Sequence, residues 1–142
     1  MAPDLPSPAP VATVRAPVVD LRRLTAGDGV SYDATWRATA PTWIATLGIG
    51  YADGVPRLVE GRAHVLLHGR PRPIVGRVTM DFIMIDVGPT AEDVQIGDVA
   101  TVMGRDGDRE ISLGAFAAWS ETISYETLTR FGTRLAREYT DV

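Results

Sequence analysis

From residue 11 onward, short apolar stretches alternate with turns rich in glycine, aspartate and proline. The stretches read "APVVDLRRLTA", "GVSYDATWRA", "TWIATLGIG", "RAHVLLHG", "RPIVGRV", the continuous apolar run "FIMIDV" and "GDVATVMG". Runs of this length bounded by such turns predict strands. Their short, regular spacing predicts a closed or nearly closed β-barrel or a sandwich. No internal repeat is visible. The last quarter has a different texture. In "ISLGAFAAWS", Ser112 is a candidate helix cap, with Ile111 before it and Phe116 four residues after it. "ISYETLTRFG" repeats the arrangement with Ser124 between Ile123 and Leu128. An apolar residue ahead of a cap packs on the one beyond it as a hydrophobic staple, so two short helices are predicted. Gly132 is expected to end the second.

The first ten residues, "MAPDLPSPAP", carry four prolines. They read as an extended leader or linker over residues 1–10, with one β-domain over 11–142. A chain of 142 residues with 45% hydrophobic and 23% charged content is ordinary for one soluble globular domain. The net charge of −4 and the scattered arginines give no support for nucleic-acid binding. No apolar run approaches the roughly 18–20 residues that span a bilayer, and no signal-peptide core is seen, so a cytoplasmic setting without membrane partners is expected. The absence of cysteine removes disulfides, thiolate nucleophiles and Cys-ligated metals. All 14 basic residues are arginine. Without lysine, no side chain can supply an amine nucleophile.

Several candidate chemistries fail on geometry. His64 and His68 lie four apart, which in a strand is about 13 Å and too far for one ion to hold both. Glu92, Asp93 and Asp98 bracket a turn at Gly97 and read as a solvated loop. "GRDGD" at 104–108 lacks the spaced ligands and final glutamate of a calcium loop and reads as a hairpin turn. Three segments remain: "GVSYDATW", "IGYADGVPR" and "GRVTMDFIMID". Each meets a turn at a strand end, and two present a tyrosine there. A tyrosine in such a place is commonly a packing residue with its hydroxyl in water, and Asp53-Gly54 with Pro56 makes an adequate turn by itself.

Taken together and in order, these segments resemble the C-terminal β-domain of alanine racemase. The resemblance runs from about Val11 to Tyr139 through "SYDATW", "GYADGVPR", "PIVGRVTMDFIMID" and "ISYETLTR". The fold class it implies is mainly β, a closed or nearly closed Greek-key-type barrel with two short helices near the C-terminus.

The resemblance implies a pyridoxal 5'-phosphate enzyme that interconverts L-alanine and D-alanine. Its cofactor sits in an N-terminal α/β-barrel, bonded to a barrel lysine, and the β-domain of the other subunit of a homodimer closes that site. On this resemblance Tyr32 is the catalytic base that removes the α-proton of L-alanine. Tyr51 and Arg77 line the entrance channel, Met80 contacts substrate, and Tyr125 reaches the cofactor phosphate. Racemisation needs a base on each face of the substrate, tyrosine on one and lysine on the other. The barrel, in cis or from another subunit, would be the partner, and this chain an excised domain, a split-gene product or a remnant. Alone it is expected to be inactive and to expose an apolar face near Tyr32, Tyr51 and Met80. Asp33 stands where the family carries glycine, and tolerates a positive φ better than most residues. Val55 replaces a frequent aromatic, and Phe82 a frequent glutamine. A non-catalytic assembly module that kept the fold, and a racemase of serine or lysine, are the alternative readings.

Overall fold

The computed structural model describes residues 12–141; the proline-rich leader lies outside them. Nine strands and two α-helices follow the predicted order: β1 (Val14–Leu24), β2 (Gly29–Val30), β3 (Trp36–Arg37), β4 (Thr42–Leu47), β5 (His64–Leu67), β6 (Arg70–Val75), β7 (Ile83–Gly88), β8 (Val99–Asp106), β9 (Arg109–Ile111), α1 (Leu113–Trp119) and α2 (Ser124–Arg130). The large sheet runs β1-β4-β7-β6-β5-β8-β9, and a further pairing of β1 with β8 closes six of these strands into a ring. Within it, the spatial order β4-β7-β6-β5 is a Greek key. The expected closed topology is therefore present.

β1 makes the closure. Its first residues pair with β8, from Val14↔Met103 to Pro17↔Val99, and its later ones with β4, from Val18↔Leu47 to Leu24↔Thr42. The register shifts between Val18 and Asp20, and such an irregularity bends a strand enough to turn a corner. Alternation fills the interior: Ile83, Ile85 and Val87 of β7 are buried, as are Ala16 and Val18 of β1. Val65, Leu66 and Leu67 of β5 are all buried. Val55 is fully buried in this core, so its departure from the family's residue concerns packing. Phe116 of α1 covers one side, 5.9 Å from the ring of Phe131.

The sequence reading of "GVSYDATWRA" as one strand is corrected. The stretch is a ribbon of two two-residue strands, β2 and β3, with a one-turn 3-10 helix at Tyr32–Ala34 between them. Its own small apolar cluster, Leu24, Val30, Ala38, Ile44 and Val75, seats it on the ring. The helix ends also differ in part. Ser112 caps α1 as expected, its hydroxyl accepting the Ala115 N–H at 3.0 Å. In α2 the cap position falls on Ile123, with extended backbone and no side-chain cap, and Ser124 is already helical. Ile123 is exposed, so no staple forms around Ser124. Phe131, in extended conformation, rather than a left-handed Gly132, ends that helix.

The set-aside groups have structural places. The "GRDGD" stretch is the β8–β9 hairpin, with Asp106 paired to Arg109 across Gly107 and Asp108. His64 stacks edge-on against Trp119 at 4.9 Å, and burial there, with Arg109 adding, pushes its pKa below the usual value. His68 sits in the β5–β6 turn and pairs with Asp98 at 2.8 Å. Asp98 is not simply solvated: it also accepts the Gln95 N–H at 2.9 Å, and these bonds hold its carboxyl below the ordinary range. No helix among the described residues is long and apolar enough to cross a membrane.

Candidate active site

The segment 76–82, between β6 and β7, is where the predicted residues meet. It is closed on itself by Thr79, whose N–H donates to the Phe82 carbonyl at 3.0 Å and whose hydroxyl accepts the Phe82 N–H at 3.0 Å. Two other loops are seated on it. The Ser31 hydroxyl donates to the Arg77 carbonyl at 2.7 Å, and the Arg77 guanidinium lies 3.0 Å from the Asp33 carboxylate. On the other side, the Tyr51 N–H donates to the Thr79 carbonyl at 2.9 Å and the Ala52 N–H to the Met80 carbonyl at 3.0 Å. Tyr32, Arg77, Tyr51 and Met80 thus belong to one bonded group of loops. Close approach explains one glycine here: a Cβ on Gly50 would stand 2.3 Å from the Thr79 carbonyl oxygen.

Tyr32 is held outward by an unusual backbone. Ser31 (φ 63, ψ −170), Asp33 (φ 58, ψ 7) and Ala34 (φ 43) all take positive φ without being glycine. Each such residue costs on the order of 1–3 kcal/mol and persists only where its surroundings fix it. Here the fixing groups are the Arg77 contacts on one side and, on the other, Thr35, whose hydroxyl donates to Glu60 at 2.6 Å. At the base of the ribbon, Asp28 accepts the Thr25 N–H and hydroxyl, which keeps its carboxyl below the ordinary range. The result is a phenol 67% exposed at the crest of a turn.

Tyr51 opens a second 3-10 turn, Tyr51–Asp53. Asp53 lies beneath it, buried, and accepts the Gly50 N–H at 2.9 Å. Its other oxygen is 3.3 Å from Nε of Arg134, and Nη2 of the same guanidinium is 2.6 Å from Asp81. The hydrogen bond to Asp81, helped by the charge of Asp53, raises the Arg134 pKa further above its already high value. Sequence reasoning missed Thr35, Glu60, Asp81 and Arg134, and read Asp53 only as a turn residue. Their pairings span up to 81 residues, and no local pattern announces them.

Tyr51 and Met80 are 45% and 51% exposed, and like Tyr32 they stand on loops joined to the 76–82 segment by hydrogen bonds. Phe82, at the end of the same loop, is exposed too. Tyr125 joins the group indirectly, through its helix. It is 80% exposed on the first turn of α2, and the other end of α2 backs onto the Tyr51 turn, where a Cβ on Gly54 would meet the Arg130 carbonyl at 2.6 Å.

The chain as a whole has known counterparts. The family described as alanine racemase, C-terminal domain, matches residues 11–139. The alanine racemase of Deinococcus radiodurans is 48% identical over 128 residues, 90% of this chain and 35% of that protein. Among solved structures, alanine racemase from Streptomyces coelicolor superposes with a TM-score of 0.88 at 31% identity, over 94% of this chain and 34% of that one. Alanine racemase from Bartonella henselae, with covalently bound pyridoxal phosphate, gives 0.83 at 34% identity, over 90% of this chain and 34% of that one. The chain spans about a third of the length of the relatives it matches. The closed ring, its two late helices and the match over nearly all of the chain lead to one assignment: this chain belongs to the alanine racemase family, of which it carries the C-terminal domain.

Proposed function

We propose that this domain supplies Tyr32 as one of two proton-handling groups in the interconversion of L-alanine and D-alanine. Its loop face closes an active site whose other half is an N-terminal α/β-barrel, within the same subunit or across a homodimer. The observation that carries the reading is the Ser31–Ala34 turn, which holds an exposed phenol on strained backbone at the expense of stability. Strain of this kind concentrates where a group must be poised for function.

The residues present suit one side of a pyridoxal phosphate site. The chain has no lysine, so covalent attachment belongs to the barrel. The Tyr125 hydroxyl, exposed on α2, is the group that would hold the cofactor phosphate from this side. When bound, pyridoxal phosphate takes up the electron pair left at the α-carbon when its proton departs. The protein has to remove that proton from one face and return one to the other. Tyr32 serves one face, accepting the α-proton when L-alanine is consumed or returning one to the α-carbon when L-alanine is formed, and the barrel lysine serves the other. A phenol acts as a base only where its surroundings favour the phenolate, and that bias is assigned to the barrel. Met80 contacts the substrate, while Tyr51 and Arg77 line its path.

Tyr32→Phe, made in an enzyme completed with a lysine-bearing barrel, tests this. The variant should still exchange the α-hydrogen of D-alanine with solvent deuterium through the intact lysine face, yet yield no L-alanine. A tyrosine that only packs would lower exchange and racemisation modestly and together. Racemisation near the parent rate removes Tyr32 from the chemistry. The domain without a barrel should show no racemase activity; turnover by the purified chain would contradict the division of labour.

A further inference from the structure

Arg134 occupies a place that neither its position in the sequence nor the helix before it accounts for. It follows α2 in a segment that runs behind the Tyr51 turn. Arg137 holds that segment by donating to the carbonyls of Phe131 at 2.9 Å and Gly132 at 3.3 Å, and the Gly132 N–H reaches the Asp53 carbonyl at 3.4 Å. From there one guanidinium reaches two carboxylates through different nitrogens: Nε to Asp53 at 3.3 Å and Nη2 to Asp81 at 2.6 Å. Asp53 ends the 3-10 turn that Tyr51 begins, and Asp81 directly follows Met80.

We propose that Arg134 is a positioning residue that fixes Tyr51 and Met80 relative to each other and so sets the shape of the substrate entrance; this rests on the reading that those two side chains line the substrate's path. A buried carboxylate needs compensating charge or hydrogen bonds. With Arg134 removed, Asp53 retains the Gly50 N–H as its partner, and the bond that closes the Tyr51 turn loses its support. Asp81 would simultaneously lose its link to the same anchor, leaving the 51–52 and 79–80 segments joined by their two backbone hydrogen bonds. Lysine would not substitute. Its ammonium is a single point, whereas the arginine fork reaches both acids at once. The Tyr32 turn is braced by separate groups, Arg77 paired with Asp33 and Glu60 bonded to Thr35, whereas Arg134 pairs with Asp53 and Asp81. Loss of Arg134 should therefore act on the entrance and leave the base in place.

Hydrogen exchange on the 142-residue chain reads this coupling without any need for activity. In Arg134→Gln the amides of Tyr51 and Ala52 should exchange about tenfold faster, through local opening. Those of Gly27 and Ala38, bonded at the base of the Tyr32 ribbon, should stay at the parent rate. Arg134→Lys should resemble the Gln variant. Unchanged exchange at Tyr51 and Ala52, equal acceleration at Gly27 and Ala38, or full rescue by lysine would each overturn the coupling. In an enzyme completed with a barrel, Arg134→Gln should raise KM for alanine about fivefold with kcat within about twofold of the parent. Faster exchange with an unchanged KM would confirm the tether while overturning its role at the entrance.

Discussion

Two exposed tyrosines each begin a single 3-10 turn, and the two turns are secured by different means. The Tyr51 turn is fastened first by main-chain bonds to Thr79 and Met80, with the Asp53–Arg134 pair behind it, and glycine stands on both sides of it. Gly54 takes the left-handed conformation that follows, with φ 118. The Tyr32 turn places serine, aspartate and alanine where the Tyr51 turn would use glycine. It is fastened largely by side chains: the Ser31 hydroxyl, the Asp33–Arg77 pair and the Thr35–Glu60 bond. The first turn is a wall built from unstrained backbone. The second spends stability to aim one phenol, and its orientation depends on groups that a single substitution can remove.

The largest effect expected from this contrast is at the wall. In Gly50→Ala the new Cβ would stand 2.3 Å from the Thr79 oxygen and 2.4 Å from the Met80 oxygen, both main-chain atoms that cannot swing aside. We expect a loss of about 3 kcal/mol in denaturant unfolding, the upper end of the range typical of overpacking a fixed site. Parent-like stability would mean that the two loops are not locked together by their backbones.

At the strained turn the sign depends on the replacement. Asp33→Val puts a β-branched side chain at φ 58 and should cost about 1–2 kcal/mol. Asp33→Gly relieves the left-handed conformation but frees more chain entropy on unfolding and gives up an exposed ion pair that contributes little. The net change should lie within about 0.5 kcal/mol. Equal losses in the two variants would show that the backbone at this position is not strained, and the contrast between the turns would fall.

Much of the scaffold was legible because strand patterning and turn chemistry are local. "FIMIDV" becomes β7, with Ile83, Ile85 and Val87 inward, and Ser112 caps α1 where its spacing to Phe116 required. The Tyr32 turn was misread because Val30, Tyr32 and Trp36 are good strand residues. What breaks the strand is tertiary: a Cβ on Gly76 would meet Val30 at 2.9 Å, and Arg77 draws Ser31 and Asp33 toward it. Ser124 was misjudged as a cap for a similar reason. Whether a residue caps or enters a helix depends on how the chain arrives, and here Ile123 is the extended one. The five candidate residues came from the family resemblance, and four of them lie on loops bonded to one another. The ions that fasten the site, Asp53, Asp81 and Arg134, come from distant parts of the chain and carry no periodic signal.

The smallest expected effect is at the third tyrosine, and it sharpens the contrast by adding a side chain that the fold does not use. Tyr125 is the most exposed of the candidate residues. Its helix is held from elsewhere, by the buried Thr127, whose hydroxyl donates to the Ile123 carbonyl at 3.2 Å, and by the Glu126–Arg130 pair one turn apart. That pair, with Thr122, also keeps the Glu126 carboxyl below its ordinary range. Tyr125→Phe removes only an exposed hydroxyl, so stability should stay within about 0.5 kcal/mol of the parent, as for surface substitutions in general. In an enzyme completed with a barrel, the same change should weaken retention of pyridoxal phosphate, measured as cofactor lost on dialysis. A clear fall in Tm would make the hydroxyl structural, and unaltered retention would take Tyr125 out of the cofactor site. The combination expected, an unmoved fold with a looser cofactor, is what a side chain kept for a ligand rather than for its own domain should give.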